Sequence, residues 1–164
     1  MRWRDRVDER DRLAVRRLVD ATTFFSPHEQ DIAVELVDEA LRSGKSSGYD
    51  FILADSEEAP GDLLGYACFG PIPSRAGGFD LYWIAVSPSH QRLGLGRQLL
   101  EEAERRVLLE GATDMFIDTS GREQYRPTRA FYERMGYRTH ELVPDFYAPG
   151  DDKVVYRKRF VGVR

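Results

Sequence analysis

Gln91-Arg92-Leu93-Gly94-Leu95-Gly96-Arg97 is the stretch on which the reading of this chain turns. Before it runs Phe79 to Val86, where Leu81, Trp83 and Ala85 alternate with Tyr82, Ile84 and Val86, the pattern of a central strand buried on both faces. After it, Leu95, Leu99, Leu100, Ala103, Val107 and Leu108 fall on one side of a helix that runs from Gly94 to Glu110 and stops at Gly111. A helix that begins here has unpaired backbone N–H groups at the positive end of its dipole, and glycine lets a phosphate come close to them. Arg92 and Arg97 add positive charge on either side. Two other phosphate signatures fail on spacing. A dinucleotide fingerprint needs glycine or alanine where Leu99 stands, and a P-loop needs Lys and then Ser or Thr where Arg97-Gln98 stand.

The flanking sequence predicts the rest of the fold. Two helices come first, Asp8 to about Ala21 and Pro27 to Leu41. Ser26-Pro27 with Glu29 supplies a cap and a first-turn proline for the second, which Gly44 closes. The link between them, Thr22 to Phe25, is unusually aromatic. Strands follow at Asp50 to Ala54 and Leu63 to Phe69, joined as a hairpin through Ala59-Pro60-Gly61-Asp62. Beyond the long helix come a strand from Thr113 to Asp118, a helix from Pro127 to Met135 stopped by Gly136, and two strands, Tyr137 to Val143 and Val154 to Phe160. This order predicts an α+β or mixed α/β sheet with one βαβ-like crossover at its centre.

With 164 residues, 41% of them hydrophobic and 32% charged, the chain suits one ordinary globular domain over 1–164. Its formal net charge is -4 and its signs are interspersed, which argues against nucleic acid as a partner. Arg4, Arg6, Arg10, Arg12, Arg16 and Arg17 interleave with Asp5, Asp8, Glu9 and Asp11, as on a solvated helix face. Cys68 is the one cysteine, so neither a disulfide within the chain nor a zinc site on paired thiolates is expected. It reads as a small buried side chain. No apolar stretch nears the roughly 20 residues of a membrane span, and no signal-peptide core leads the chain. The expectation is a cytoplasmic protein without a membrane or metal.

Gln91 to Gly96 matches the pattern Q/R-x-x-G-x-G/A. Together with the preceding strand, and with Ala130-Phe131-Tyr132-Glu133-Arg134-Met135-Gly136-Tyr137 further on, it resembles the GCN5-related N-acetyltransferase (GNAT) family over nearly the whole chain. That resemblance implies a central, mostly antiparallel sheet with a parallel, splayed strand pair flanked by helices. It implies acetyl-CoA as co-substrate. Gln91, Arg92, Leu93, Gly94, Leu95, Gly96 and Arg97 would hold its pyrophosphate, and the backbone of Ile84, Ala85 and Val86 its pantetheine.

The implied reaction is direct attack of a primary amine on the thioester in a ternary complex, which calls for a base and an acid. Tyr132 matches the family tyrosine that faces the coenzyme sulfur and would be the acid; by itself it also reads as a core aromatic. Asp80 matches an acidic position that acts through ordered water, and Asp118 would lie across the cleft. Either carboxylate also reads as a solvated strand end or a capping partner. One departure stands out: Tyr125 occupies the place of an asparagine that contacts the coenzyme, and Thr128 with Arg129 could take over part of that binding. Family acceptors are bound by the first two helices and the last loop. Phe24, Phe25, Glu29 and Tyr147 are the candidates there, aromatics and a carboxylate suited to a cationic amine of a small molecule or peptide. Two rival classes keep the same fold without chemistry, a non-catalytic acyl-CoA-binding sensor module and a structural homodimer joined through its C-terminal strands.

Overall fold

The computed structural model describes residues 1–160 as β1 (Arg2–Arg4), α1 (Asp11–Ala21), α2 (Pro27–Ser43), β2 (Asp50–Asp55), β3 (Leu63–Pro71), β4 (Gly78–Val86), α3 (Leu95–Leu109), β5 (Asp114–Ser120), α4 (Arg126–Arg134), β6 (Arg138–Ala148) and β7 (Asp151–Arg159). The strands form one sheet in the order β1-β2-β3-β4-β5-β7-β6. Described neighbours pair antiparallel except β4 and β5, which run parallel. The expected mixed sheet with one parallel pair is therefore present. The parallel ladder is short. It runs from Gly78↔Asp114 to Leu81↔Ile117, after which β5 continues to Ser120 with β7 as its ladder partner.

Local chemistry sets the helix ends. Ser26 Oγ accepts from the Glu29 N–H at 3.2 Å and the Glu29 carboxylate accepts from the Ser26 N–H at 3.3 Å, a reciprocal box that fixes the start of α2 as the sequence predicts. The first helix starts three residues later than expected. The Asp11 carboxylate accepts from the Asp8 N–H at 2.7 Å and the Asp8 carboxylate from the Arg10 N–H at 2.9 Å, so Asp8 lies in a turn ahead of the helix that Asp11, its first residue, holds in place.

Arg4 corrects the reading of the N-terminal arginines as a solvated face. It sits on β1, an element the sequence pattern did not reveal, and clamps the buried Asp11 at 2.8 Å and Asp55 at 2.5 Å. These two carboxylates push its guanidinium pKa upward.

The chain divides into two compact units, Met1–Gly70 with Trp83–Arg106, and Pro71–Tyr82 with Val107 onward. In the first, Val15, Leu18 and Val19 of α1 and Ala33, Val37 and Ala40 of α2 pack with Phe51, Leu53, Leu63, Tyr66, Cys68 and Ala85 of the strands. Cys68 is buried there, and burial pushes its thiol pKa well up, as suits a core residue rather than a nucleophile. In the second unit, Met115 and Ile117 of β5 and Tyr156 of β7 are buried, and Tyr156 stacks with Tyr132 of α4.

β4 departs from the expected two-sided burial. Asp80, Trp83, Ile84 and Val86 are half-buried and Tyr82 is exposed. The strand is central in the sheet order, yet its parallel ladder stops at Leu81.

Candidate functional site

The glycine turn lies in the first unit. The Ser87 N–H closes on the Leu64 carbonyl at 2.7 Å, one tight turn spans Pro88–His90, and the Gln91 amide donates to the Val86 carbonyl at 3.1 Å. Gln91 thus ties the turn back to the end of its own strand. Arg92 and Gly94 both adopt left-handed backbone, with φ of 64° and 83°. The alternation swings the chain into α3 at Leu95. A methyl group built on Gly94 would meet nothing within 4 Å, so the backbone there faces open space. Residues 91–94 are exposed, Leu93 at 70%, while Leu95 is buried and anchors the helix start. The first N–H groups of a helix have no acceptor within it, and here they follow an exposed, glycine-opened turn. Arg97 pairs with Glu101 one turn along the helix at 2.7 Å.

Gly65 contributes in a way the sequence reading passed over. Its added Cβ would lie 3.1 Å from the Ala85 carbonyl oxygen and from methyl carbons of Leu95 and Leu99, so glycine in β3 lets the first turn of α3 sit down on the strands. The signal was available: a glycine inside an otherwise apolar strand marks a close approach.

The titratable candidates lie in the second unit. Asp80 pairs with Phe116, and Asp118 is two residues further along β5, so both carboxylates stand on one face of the sheet. Lys153, two residues from the Val155 that pairs with Asp118, stands on that face too and caps the Phe146 ring at 4.1 Å. Burial, and then the neighbouring Asp118, push the Asp80 carboxyl up to about 6, against the opposing pull of Lys153. The Asp118 carboxyl is raised as well, chiefly by burial, with Lys153 opposing and Glu141 adding to the rise. A carboxylate held near 6 is poised to accept a proton at neutral pH.

Tyr132 packs on the other face. Its ring lies 6.1 Å from that of Tyr156, which pairs with Ile117, and 6.3 Å from Tyr137. It is 5% exposed, and burial drives its phenol pKa upward, so it carries its proton across the working pH range. Nearby, Arg129 donates to the carbonyls of Ser120 and Arg122 at 2.7 and 2.8 Å, fastening the loop after β5 to α4. Thr128 stands half-buried in the first turn of α4, and Tyr125 half-buried just before it.

The acceptor candidates are divided between the two units. Phe24 and Phe25 pack edge to face at 5.3 Å in the link between α1 and α2, and Phe25 lies 4.8 Å from the Trp83 ring. The Glu29 carboxylate is engaged in the helix cap. Tyr147 is half-exposed on β6, in the second unit, packed on Phe146. Trp83 and Lys153, which the sequence reading did not single out, are the additions that geometry makes. No group of three His, Cys, Asp or Glu side chains that could hold a metal occurs among the described residues. No helix among them is long and apolar enough to cross a membrane.

Comparison with known proteins agrees with this geometry. Residues 15–137 match the Acetyltransferase (GNAT) family. A crystal structure from Desulfovibrio desulfuricans, of a protein assigned as an acetyltransferase of the GNAT family, is 47% identical, with a TM-score of 0.92 over 96% of this chain and 98% of that one. An aminoglycoside 6'-N-acetyltransferase complexed with coenzyme A shares the fold at a TM-score of 0.73 and 18% identity, over 97% of each chain. The uncharacterized N-acetyltransferase YuaI of Bacillus subtilis is 38% identical over 64 residues, a match that spans 38% of this chain and 37% of that relative. The turn, the strand that feeds it and the sheet order are thus those of a known lineage, and the chain belongs to the GNAT acetyltransferase family.

Proposed function

We propose that this protein transfers an acetyl group from acetyl-CoA to a primary amine by direct attack in a ternary complex. The observation that carries the reading is the Gln91 to Gly96 turn, exposed from Gln91 to Gly94, left-handed at Arg92 and Gly94, and open to space at Gly94 at the head of α3. Its backbone N–H groups suit the pyrophosphate of coenzyme A. The end of β4 beyond Leu81, from Ile84 to Val86, offers backbone groups for pantetheine and a donor for the thioester oxygen as negative charge develops there.

The amine must reach the thioester as the free base. Asp80, held near 6 by burial and then by the neighbouring Asp118, suits the role of taking that proton, directly or through water. The amine nitrogen then bonds to the acyl carbon and loses its second proton to solvent as the amide forms, the C–S bond breaks, and the departing thiolate takes a proton from the phenol of Tyr132, a donor whose protonation burial protects and which regains its proton from solvent.

Calorimetry with acetyl-CoA, combined with free-thiol release over a panel of primary amines, tests the reading. Binding together with thiol release matched by acetylated amine is expected. Tight binding without turnover on any amine would overturn catalysis in favour of an acyl-CoA sensor. Absence of binding would overturn both.

A further inference from the structure

Among the described residues of the first unit three buried polar side-chain atoms have no hydrogen-bond partner, and since Asp38 Oδ1 is ion-paired with Arg12, the Tyr66 hydroxyl and the Trp83 indole N–H are the two left with nothing. Tyr66 is wholly buried, stacked on Phe51 at 6.3 Å between ring centroids, and Trp83 is covered by Phe25 at 4.8 Å. Both side chains pack into the same cluster, from adjacent strands β3 and β4. Buried donors are nearly always paired in a fold, by protein, water, ion or ligand, so a donor without a protein partner marks a place where one of the others belongs. The cost of leaving it unpaired exceeds what a typical hydrogen bond contributes. Two such groups in one cluster are hard to ascribe to packing alone. Trp83 also lies on the strand that continues through Ile84, Ala85 and Val86, one residue from the stretch suited to the thioester.

From these observations we infer that Tyr66 and Trp83 form the acceptor's recognition pair: they donate to an uncharged oxygen, such as an amide carbonyl, next to the primary amine that is acetylated. The acceptor's apolar body takes the place of the Phe25 ring over Trp83. The inference rests on the acetyl-transfer reading above and adds the substrate class.

The surroundings decide against charge at that position. The cluster consists of Val, Leu, Ala, Phe and Cys side chains with Tyr66, and the partly buried residues packed on it are likewise apolar or aromatic. The charges recorded against cluster residues, Asp50 acting on Cys68 and Arg106 on the Phe51 carbonyl at 3.4 Å, are already paired with Lys45 and Glu102, so a free carboxylate or the extra ammonium groups of an amino sugar would be desolvated there with no free partner among them. An N–H and an O–H match a neutral acceptor oxygen. The Phe25 cover is itself placed with some strain: the link carries Thr23 at φ 54°, while the Gln30 side chain holds the Phe25 carbonyl at 3.3 Å. A link of that kind has another arrangement within reach, which lets an aromatic or aliphatic body replace the ring.

A matched pair of probes isolates the oxygen. Phenylalanine amide and phenethylamine share the apolar body and the amine, and only the first carries the carbonyl. Tyr66→Phe and Trp83→Phe are each expected to lower the amide-to-amine ratio of kcat/KM by about fivefold relative to wild type, the loss appearing in KM. Comparison with wild type cancels the difference in amine basicity. Because the Tyr66 hydroxyl has no partner in the fold, Tyr66→Phe should melt at or above the wild-type temperature. A ratio unchanged in both variants, or a clear drop in the Tyr66→Phe melting temperature, would overturn the inference while leaving acetyl transfer standing. A binding measurement covers the case in which no amine is turned over. In a Trp3→Phe background Trp83 is the only tryptophan, and phenylalanine amide should shift its emission while phenethylamine does so more weakly. No shift with either probe would equally refute it.

Discussion

Replacing Lys153 with methionine, a residue at some remove from the reacting atoms, should move the acid limb of the pH-rate profile. The Asp80 carboxyl, ordinarily at 3.8, is pushed up to about 6 by burial and by Asp118, with Lys153 pulling the other way. If Asp80 is the base, kcat/KM falls tenfold per pH unit below about 6, and at pH 5 only about a tenth of the enzyme is active. Lys153→Met removes the opposing charge, so the limb moves up by about half a unit to one unit. Asp118→Asn removes the like charge and moves it down by a similar amount. Asp80→Asn abolishes the limb and costs about a hundredfold or more in rate. Stability moves in the opposite sense. A carboxyl whose folded pKa exceeds its unfolded value binds its proton more tightly in the fold, so its contribution favours folding at low pH and is lost as pH rises from 3.8 through about 6. The distance between those values sets a ceiling of about 3 kcal/mol, and solvent screening of a half-buried group brings it to about 1–2. Asp80→Asn should therefore melt above wild type at pH 7, with the gap closing near pH 4. Stopped thiol-release assays from pH 5 to 9 and thermal melts at pH 4 and 7 suffice. An acid limb that stays in place in both Lys153→Met and Asp118→Asn would refute the assignment of Asp80 as the titrating base.

Tyr132→Phe keeps the ring contacts with Tyr137 and Tyr156, so its melting temperature should change little while turnover drops by about tenfold or more at unchanged acetyl-CoA affinity; calorimetry beside thiol release checks this. Gly65→Ala puts a methyl group 3.1 Å from a backbone carbonyl and two leucine methyls, which should cost about 1–3 kcal/mol in chemical denaturation. By pushing the first turn of α3 away it should also weaken acetyl-CoA binding, and a variant of wild-type stability would show that the contact yields more easily than the geometry implies. Arg4→Met strands Asp11 as a buried carboxylate, and a loss of about 3–5 kcal/mol is expected from urea unfolding at neutral pH.

What could be read in the sequence was the part whose chemistry is local. A cap box needs only Ser26 and Glu29 three residues apart, and a phosphate turn needs only glycine at fixed offsets between a strand and a helix. Those elements stand where the pattern put them. What stayed hidden depends on partners far along the chain. Three residues of β1 carry no periodicity, and their strand character comes from Asp55, Ala54 and Leu53 opposite. Arg4 looked like one of six surface arginines because Asp55, its half-buried partner, is 51 positions away. The same divide runs through the candidate site. Donor binding draws on backbone and glycine, which any acceptor specificity can share, so it is written in a motif. Acceptor choice draws on side chains such as Tyr66 and Trp83, which in sequence are indistinguishable from ordinary aromatic strand residues. Only the three-dimensional record of which buried donors lack partners sets them apart. Acceptor specificity is therefore to be sought where the fold departs from its own packing rules, and in this chain that is the aromatic floor beneath Phe25.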